Sequence, residues 1–159
     1  MPLDASAFRA SLSRFASGVT VLTTRTADGR DHGMTATAFS SLSLDPPLVL
    51  VCIDRAASMA TPLASATHLA VHVLADDQES LSRRFAAKDG DRFAGIEPRR
   101  GAGDVPLLDG AIVRLQCRIT DRHPGGDHVI VVAEVLEAEV HDHAPLLYFR
   151  GRYARLADT

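Results

Sequence analysis

The stretch Gly33-Met34-Thr35-Ala36-Thr37-Ala38-Phe39-Ser40-Ser41-Leu42-Ser43-Leu44-Asp45-Pro46-Pro47 restricts most tightly what this chain can fold into. Small residues, hydroxyls and one aromatic alternate along it, and a double proline that cannot donate to a sheet ladder closes it. A strand of this kind carries little bulk. Its backbone and hydroxyls stay open to a flat, polar-edged ligand, so the stretch reads as a cofactor-binding strand beginning near His32.

The 159 residues suffice for one domain with a real core, residues 1–159 forming a single unit. A hydrophobic fraction of 46% against 23% charged residues excludes a disordered chain. The net charge of -3, with no basic run, argues against nucleic acid as partner, because phosphate neutralisation needs clustered cations. Nearly all the basic residues are arginines, and Lys88 is the one lysine. Cys52 and Cys117 lie in apolar runs without CxxC spacing and read as reduced, buried thiols. With no basic-then-apolar leader at the N-terminus and no apolar run of spanning length, a cytoplasmic protein is expected, away from membranes.

In chain order, Asp4 is placed to cap a helix carrying Phe8, Leu12 and Phe15 on one face, with Gly18 as its stop. Val19 to Thr24 and the strand from His32 make a hairpin about Ala27-Asp28-Gly29-Arg30. Leu48 to Ile53 is continuously apolar, which predicts a central strand buried on both faces. A short helix over Ser58 to Ala66, interrupted early by Pro62, precedes a strand at Leu69 to Leu74. Asp76 and Glu79 have capping-box spacing ahead of a helix whose apolar face is Leu81, Phe85 and Ala86. Lys88 to Asp104, with four glycines and Pro98, predicts an irregular loop of functional length. Val113, Leu115, Cys117 and Ile119 alternate with Arg114, Gln116 and Arg118, a half-buried strand whose polar face meets water or a partner. Pro124-Gly125-Gly126-Asp127 turns into a long strand, Val129 to Val140, apolar on both sides for most of its length, and Leu146 to Tyr153 reads as one closing strand. Strands dominate and neighbours can pair antiparallel, so the fold class is mainly β with peripheral helices, a closed or nearly closed barrel.

Four segments resemble the flavin reductase family, which includes the small reductase components of two-component flavin-dependent monooxygenases. They are Phe15-Ala16-Ser17-Gly18-Val19-Thr20-Val21, Gly33 to Pro47, Gly126-Asp127-His128 and Tyr148-Phe149-Arg150-Gly151-Arg152-Tyr153, in the family's order over nearly the whole chain. The resemblance implies an FMN-binding split β-barrel, a homodimer, and hydride transfer from NADH or NADPH to FMN or FAD, the reduced flavin passing to an oxygenase component. Two positions depart from the family pattern: Ala133, where a glycine is frequent, and His72, where asparagine is frequent.

A flavin ring needs hydrogen bonds at its pyrimidine edge and one face free of bulk, because the nicotinamide stacks there. Thr35, Ala36, Thr37 and Ala38 suit this, although alone they equally describe an ordinary strand. Ser40 and Ser41 offer hydroxyls to a ribityl chain or phosphate, or simply end a strand. Ser58, after Asp54-Arg55-Ala56-Ala57, either caps a helix or meets a phosphate at its start, and Asp54 belongs to the same candidate flavin site. Arg84, beside Phe85, is the candidate phosphate cation, against the commoner fate of a solvated arginine. The family pattern sets His128 near the nicotinamide, to bind and orient it as the one candidate catalytic residue, with Tyr153 lining the same pocket. As isolated residues they read as a surface histidine and an aromatic packed at an interface. His68 and His72 are roughly 13 Å apart along a strand, too far to share an ion, and His141 and His143 flank a solvated turn, so no metal is expected. Neither GxGxxG, a P-loop nor GxSxG is present. The reading is a flavin reductase; its rivals are a flavin carrier or sensor of the same fold, and a flavin oxidase acting on a small molecule without nicotinamide.

Overall fold

The computed structural model describes residues 1–157. Helix α1 (Ala5–Leu12) is capped by Asp4, whose carboxylate accepts from the Ala7 N–H. There follow β1 (Ser17–Gly18), β2 (Thr20–Arg25), β3 (Asp31–Ala36), β4 (Phe39–Ser43), β5 (Leu48–Asp54), α2 (Ala60–Ser65), β6 (His68–Val73) and α3 (Glu79–Ala86). A strap of β7 (Arg99–Arg100), a 3-10 turn (Ala102–Asp104) and β8 (Pro106–Leu107) leads to the long strands β9 (Val113–Gly125) and β10 (His128–Val140). The chain closes with β11 (Leu146–Phe149) and β12 (Arg152–Arg155).

Seven strands form one antiparallel sheet in the order β3-β2-β6-β9-β10-β5-β4. Its two edge strands are consecutive in sequence, joined only by Thr37 and Ala38. That link spans at most about 11 Å, whereas the edges of a flat seven-stranded sheet lie roughly 29 Å apart. The sheet therefore curls into a barrel. Among the described residues no ladder joins β3 to β4, so the seam stays split. The pivotal stretch is thus two strands on opposite sides of that seam rather than one.

Inside the barrel, Leu22, Val49, Val51, Ile53, Leu69, Val71, Cys117 and Val131 pack around Met59 and Leu63, which α2 and its leading residue insert. Burial pushes the Cys117 thiol up to about 12, leaving it a protonated core group. A second cluster, Val19, Val21, Leu74, Phe85, Leu108 and Leu146, fills the space under α3 and the β11–β12 hairpin.

Several expectations are corrected. Strand β5 alternates buried and half-buried residues and lies next to the sheet edge, because its Leu50 and Cys52 face outside the barrel. The polar face of β9 is covered over part of its length: Arg114 and Gln116 are each 5% exposed beneath the strap, whereas Arg118 faces water. Gln116 Oε1 accepts from the Ala102 N–H at 2.7 Å, Arg114 donates to Leu108 O at 2.9 Å, and Arg114 also pairs with Glu139. Met59, not Ser58, occupies the N-cap of α2, and Pro62 lies within the first turn, where its missing N–H costs nothing. Asp76 makes no capping box; Gln78 is the N-cap of α3, and its side-chain oxygen accepts from Ala75 N. The closing strand is a hairpin, turned by Arg150 and Gly151 at φ 52° and 74°.

Candidate flavin site

The outer edge of β3 is the last in the sheet, and its main chain is open on that side. Gly33 O accepts from Arg92 Nη1 at 2.6 Å there, while Ala36 O is turned the other way and accepts from Thr20 Oγ1 of β2 at 2.6 Å. Strand alternation consequently puts the N–H and C=O of Thr35 on the open side with those of Gly33. Thr35 Oγ1 donates to Ser82 O at 2.6 Å, tying the strand to α3. Below, the Phe85 ring lies over Gly33, which has no Cβ to obstruct it.

Three adjoining cavities lead from this edge to the β11–β12 hairpin. One of about 520 Å³ is lined by Met34, Thr35, Ala57, Ser58, Lys88 and Arg92 among others. A narrower one of about 170 Å³ shares Thr35 and Ala86 with it and adds Ala36, Thr37, Tyr148 and Tyr153. The third, about 490 Å³, continues past Tyr148 and Tyr153 to Arg83, Gly151 and Arg152. Ser82 Oγ and the Tyr153 hydroxyl are 2.7 Å apart, so Tyr153 stands across the groove from Thr35 on the same α3 residue. Its ring meets Tyr148 edge-on at 5.3 Å between centroids.

The structure thus gathers Thr35, Ala36, Thr37, Ser58, Phe85 and Tyr153 along one groove, with Phe85 fully buried in its floor. Other candidates fall elsewhere. Ala38 is in the seam bend, where its C=O accepts from Cys52 N, and Ser40 and Ser41 are exposed on β4, Ser40 Oγ donating to Ser41 O. Arg84 is turned away from the groove to donate to Ala94 O. Asp54 accepts from the Ala56 N–H at 2.8 Å and shapes the loop that carries Ala57 and Ser58 into the groove, without lining it. His128 lies opposite Asp54 in the β5–β10 ladder, its Nδ1 2.7 Å from Asp127 Oδ1, beside that loop and outside the three cavities.

Arg83 and Arg152 line the far cavity, and the cations beside β3 are ones that sequence reasoning did not select: Lys88 and Arg92. Arg92 Nη1 also lies 3.3 Å from Ser58 Oγ, so a hydroxyl and a guanidinium converge at one end. The available signal was that Lys88 and Arg92 both belong to the irregular Lys88 to Asp104 loop, whose length is that of a functional loop. Outside the three cavities, Asp76, Asp77 and His143 bring ligand atoms within 4.8 Å of one another, where His143 Nδ1 is 3.3 Å from Asp76. His68 and His72 share no ion: both ring nitrogens of the fully buried His72 are engaged, by Val21 O and Leu108 N.

A split barrel with an open-edged strand, a cation-ended groove and an aromatic wall defines the class, and the sequence matches the flavin reductase like domain over residues 12–157. The chain belongs to the flavin reductase family. It is 45% identical to the NADH-dependent flavin reductase of a Rhodococcus species over 152 residues, 93% of this chain and 84% of the relative. It is 42% identical to the reductase component of 4-hydroxyphenylacetate 3-monooxygenase from Thermus thermophilus over 151 residues, 94% of this chain and 95% of the relative. The solved structure of the Streptomyces globisporus C-1027 NADH:FAD oxidoreductase in complex with NAD and FAD fragments superposes with a TM-score of 0.91 at 36% identity, covering 97% of this chain and 93% of the other.

Proposed function

We propose that this chain is an NADH-dependent flavin reductase that transfers a hydride to FMN or FAD and passes the reduced flavin to an oxygenase component. The observation that carries the reading is the groove along the open edge of β3, backed by small side chains and ended by cations. The residues fit the cofactor: the Thr35 N–H and C=O address a pyrimidine edge, Ala36 and Ala57 leave a flat face clear, and Lys88, Arg92 and Ser58 suit a phosphate. When bound, the flavin supplies the hydride-accepting N5. Tyr153 and Tyr148 wall the adjoining cavity, where a nicotinamide ring has room to lie beside it. His128, at the hairpin end next to the Asp54–Ser58 loop and outside the three cavities, meets a part of the donor other than its nicotinamide ring, and hydride transfer requires no strong base. Relatives named as NADH-dependent favour NADH over NADPH, and relatives named as reductase components favour an oxygenase partner.

A homodimer belongs to the same proposal. Helix α1 buries none of its residues within the protomer, and Phe8, Leu12 and Phe15 are 54%, 53% and 80% exposed. Leu42, Leu44 and Leu136 add exposed apolar surface, which a second copy would cover. No helix among the described residues is long and apolar enough to cross a membrane.

Anaerobic mixing of catalytic amounts of protein with FMN or FAD and NADH or NADPH tests the activity. Rapid loss of oxidised-flavin absorbance with NADH is expected. Flavin binding without bleaching by either donor would replace the reductase with the carrier or sensor. Arg92→Ala is expected to weaken FMN binding by about tenfold to a hundredfold, the worth of a charge-assisted hydrogen bond, and to leave riboflavin, which has no phosphate, nearly unchanged in a fluorescence titration. Equal losses for both ligands would assign Arg92 to holding the loop alone.

A further inference from the structure

Helix α2 plugs one mouth of the barrel without filling it. Ala60 and Ala64, one turn apart, face Ile53 of β5 and Val129 and Val131 of β10 across a cavity of about 150 Å³, completed by Leu63 and Arg122. The ladder sets Val129 opposite Ile53, and Val131 opposite Arg122, so these side chains share the inner face. Ile53, Leu63 and Val131 are only 1–2% exposed, and the lining is aliphatic apart from one guanidinium. Larger side chains at Ala60 and Ala64 would close the gap.

Arg122 at the rim is already held in place. Its Nε donates to Leu63 O at 2.8 Å and its Nη2 to Ala66 O, two carbonyls at the C-terminal end of α2 that lack partners within the helix. Among the described residues no carboxylate pairs with Arg122, and Nη1 has no acceptor. Arg122 itself is exposed, so Nη1 is a cation donor held on the solvent-facing rim of the apolar cavity, its position fixed before any ligand arrives.

We propose that this pocket binds a small ring-bearing monocarboxylate, its ring among Ile53, Leu63, Val129 and Val131 and its carboxylate on Arg122. The size argues for one ring, because an aliphatic cavity of roughly 150 Å³ accepts benzene. The charge argues for one carboxylate: a single guanidinium with no second cation suits a monoanion and leaves a phosphate dianion half-paired. The mouth of a barrel, mostly apolar with one placed polar group, is also where small-molecule sites recur. The pocket lies on the α2 side of the Asp54–Ser58 loop, apart from the groove at β3, and does not depend on the flavin reading.

Methyl-labelled full-length protein titrated with sodium benzoate, and separately with benzyl alcohol as the uncharged counterpart, tests it by NMR. Saturable shifts confined to the methyls of Ile53, Ala60, Leu63 and Val129 are expected, with benzoate about tenfold tighter than benzyl alcohol. Arg122→Gln should bring the two affinities together, and Ala64→Leu should abolish both while the rest of the spectrum stays dispersed. Non-saturating or scattered shifts would overturn the proposal. So would equal affinities of the wild-type protein for the two compounds, a comparison that needs no variant.

Discussion

Replacing Gly33 by alanine is expected to destabilise the protein by about 2–3 kcal/mol, the cost of overpacking a full core. A Cβ at this position would lie 2.5 Å from Phe85 Cε1, 2.8 Å from Phe85 Cδ1 and 3.3 Å from Leu22 O. None of these neighbours can yield cheaply. The ring is fully buried and meets Phe93 edge-on at 5.2 Å, and the carbonyl belongs to the adjacent strand. The requirement is steric. Since Phe85 is carried by α3, the strain passes to the helix that also bonds Thr35 and Tyr153 through Ser82, and flavin affinity should fall with stability. Denaturant midpoints give the first quantity and flavin titration the second. Adding Phe85→Leu to Gly33→Ala should recover part of the loss, whereas a loss unchanged by that second substitution would place the strain elsewhere.

His72 gives the largest pH effect. The Leu108 N–H can only donate, so Nε2 accepts it and the ring proton is on Nδ1, donating to Val21 O; both contacts are 3.0 Å. Burial is the main cause lowering this histidine from its ordinary 6.5 to about 4, with nearby Arg114 adding to it and the bond to Val21 O opposing it. The unfolded chain therefore takes up the proton first as the pH falls. Stability contributed by neutral His72 is complete above about pH 6.5 and is lost progressively down to about pH 4, a change of about 3 kcal/mol. His72→Asn, which cannot titrate, should lose less between pH 7.5 and pH 4.5 than the wild type in urea unfolding; equal losses would assign the acid sensitivity to other groups. At pH 7.5, His72→Leu should itself cost about 3 kcal/mol, because it strands a buried N–H and a buried C=O.

His72 also shows where the sequence was legible and where it was not. Its strand, like β2, β9 and β10, follows from the spacing of apolar residues, and the Asp4 cap from local chemistry. What covers each face does not. Arg114 and Gln116 have the alternation of a solvent-facing row, but the strap that buries them comes from Gly101 to Leu108, and nothing within β9 reports it. The apolar run of β5 suggested full cover on both sides, whereas its outer residues Leu50 and Cys52 are only half-buried within one protomer. In the hairpin of β11 and β12 the turn was hidden because an arginine, Arg150, takes the left-handed position before Gly151. At the groove, Thr35 and Tyr153 were legible through the resemblance. Arg92 was not, since an irregular loop carries no periodicity to show which of its cations turns toward β3.

The central claim is that flavin lies along the open edge of β3. It is tested most directly by titrating FMN into isotopically labelled protein and following backbone amides. The account predicts that the largest changes fall on Met34 to Thr37, with Ser58, Lys88 and Arg92 next and the exposed β4 serines Ser40 and Ser41 nearly still. Saturable changes centred on β4, with Thr35 unmoved, would contradict it.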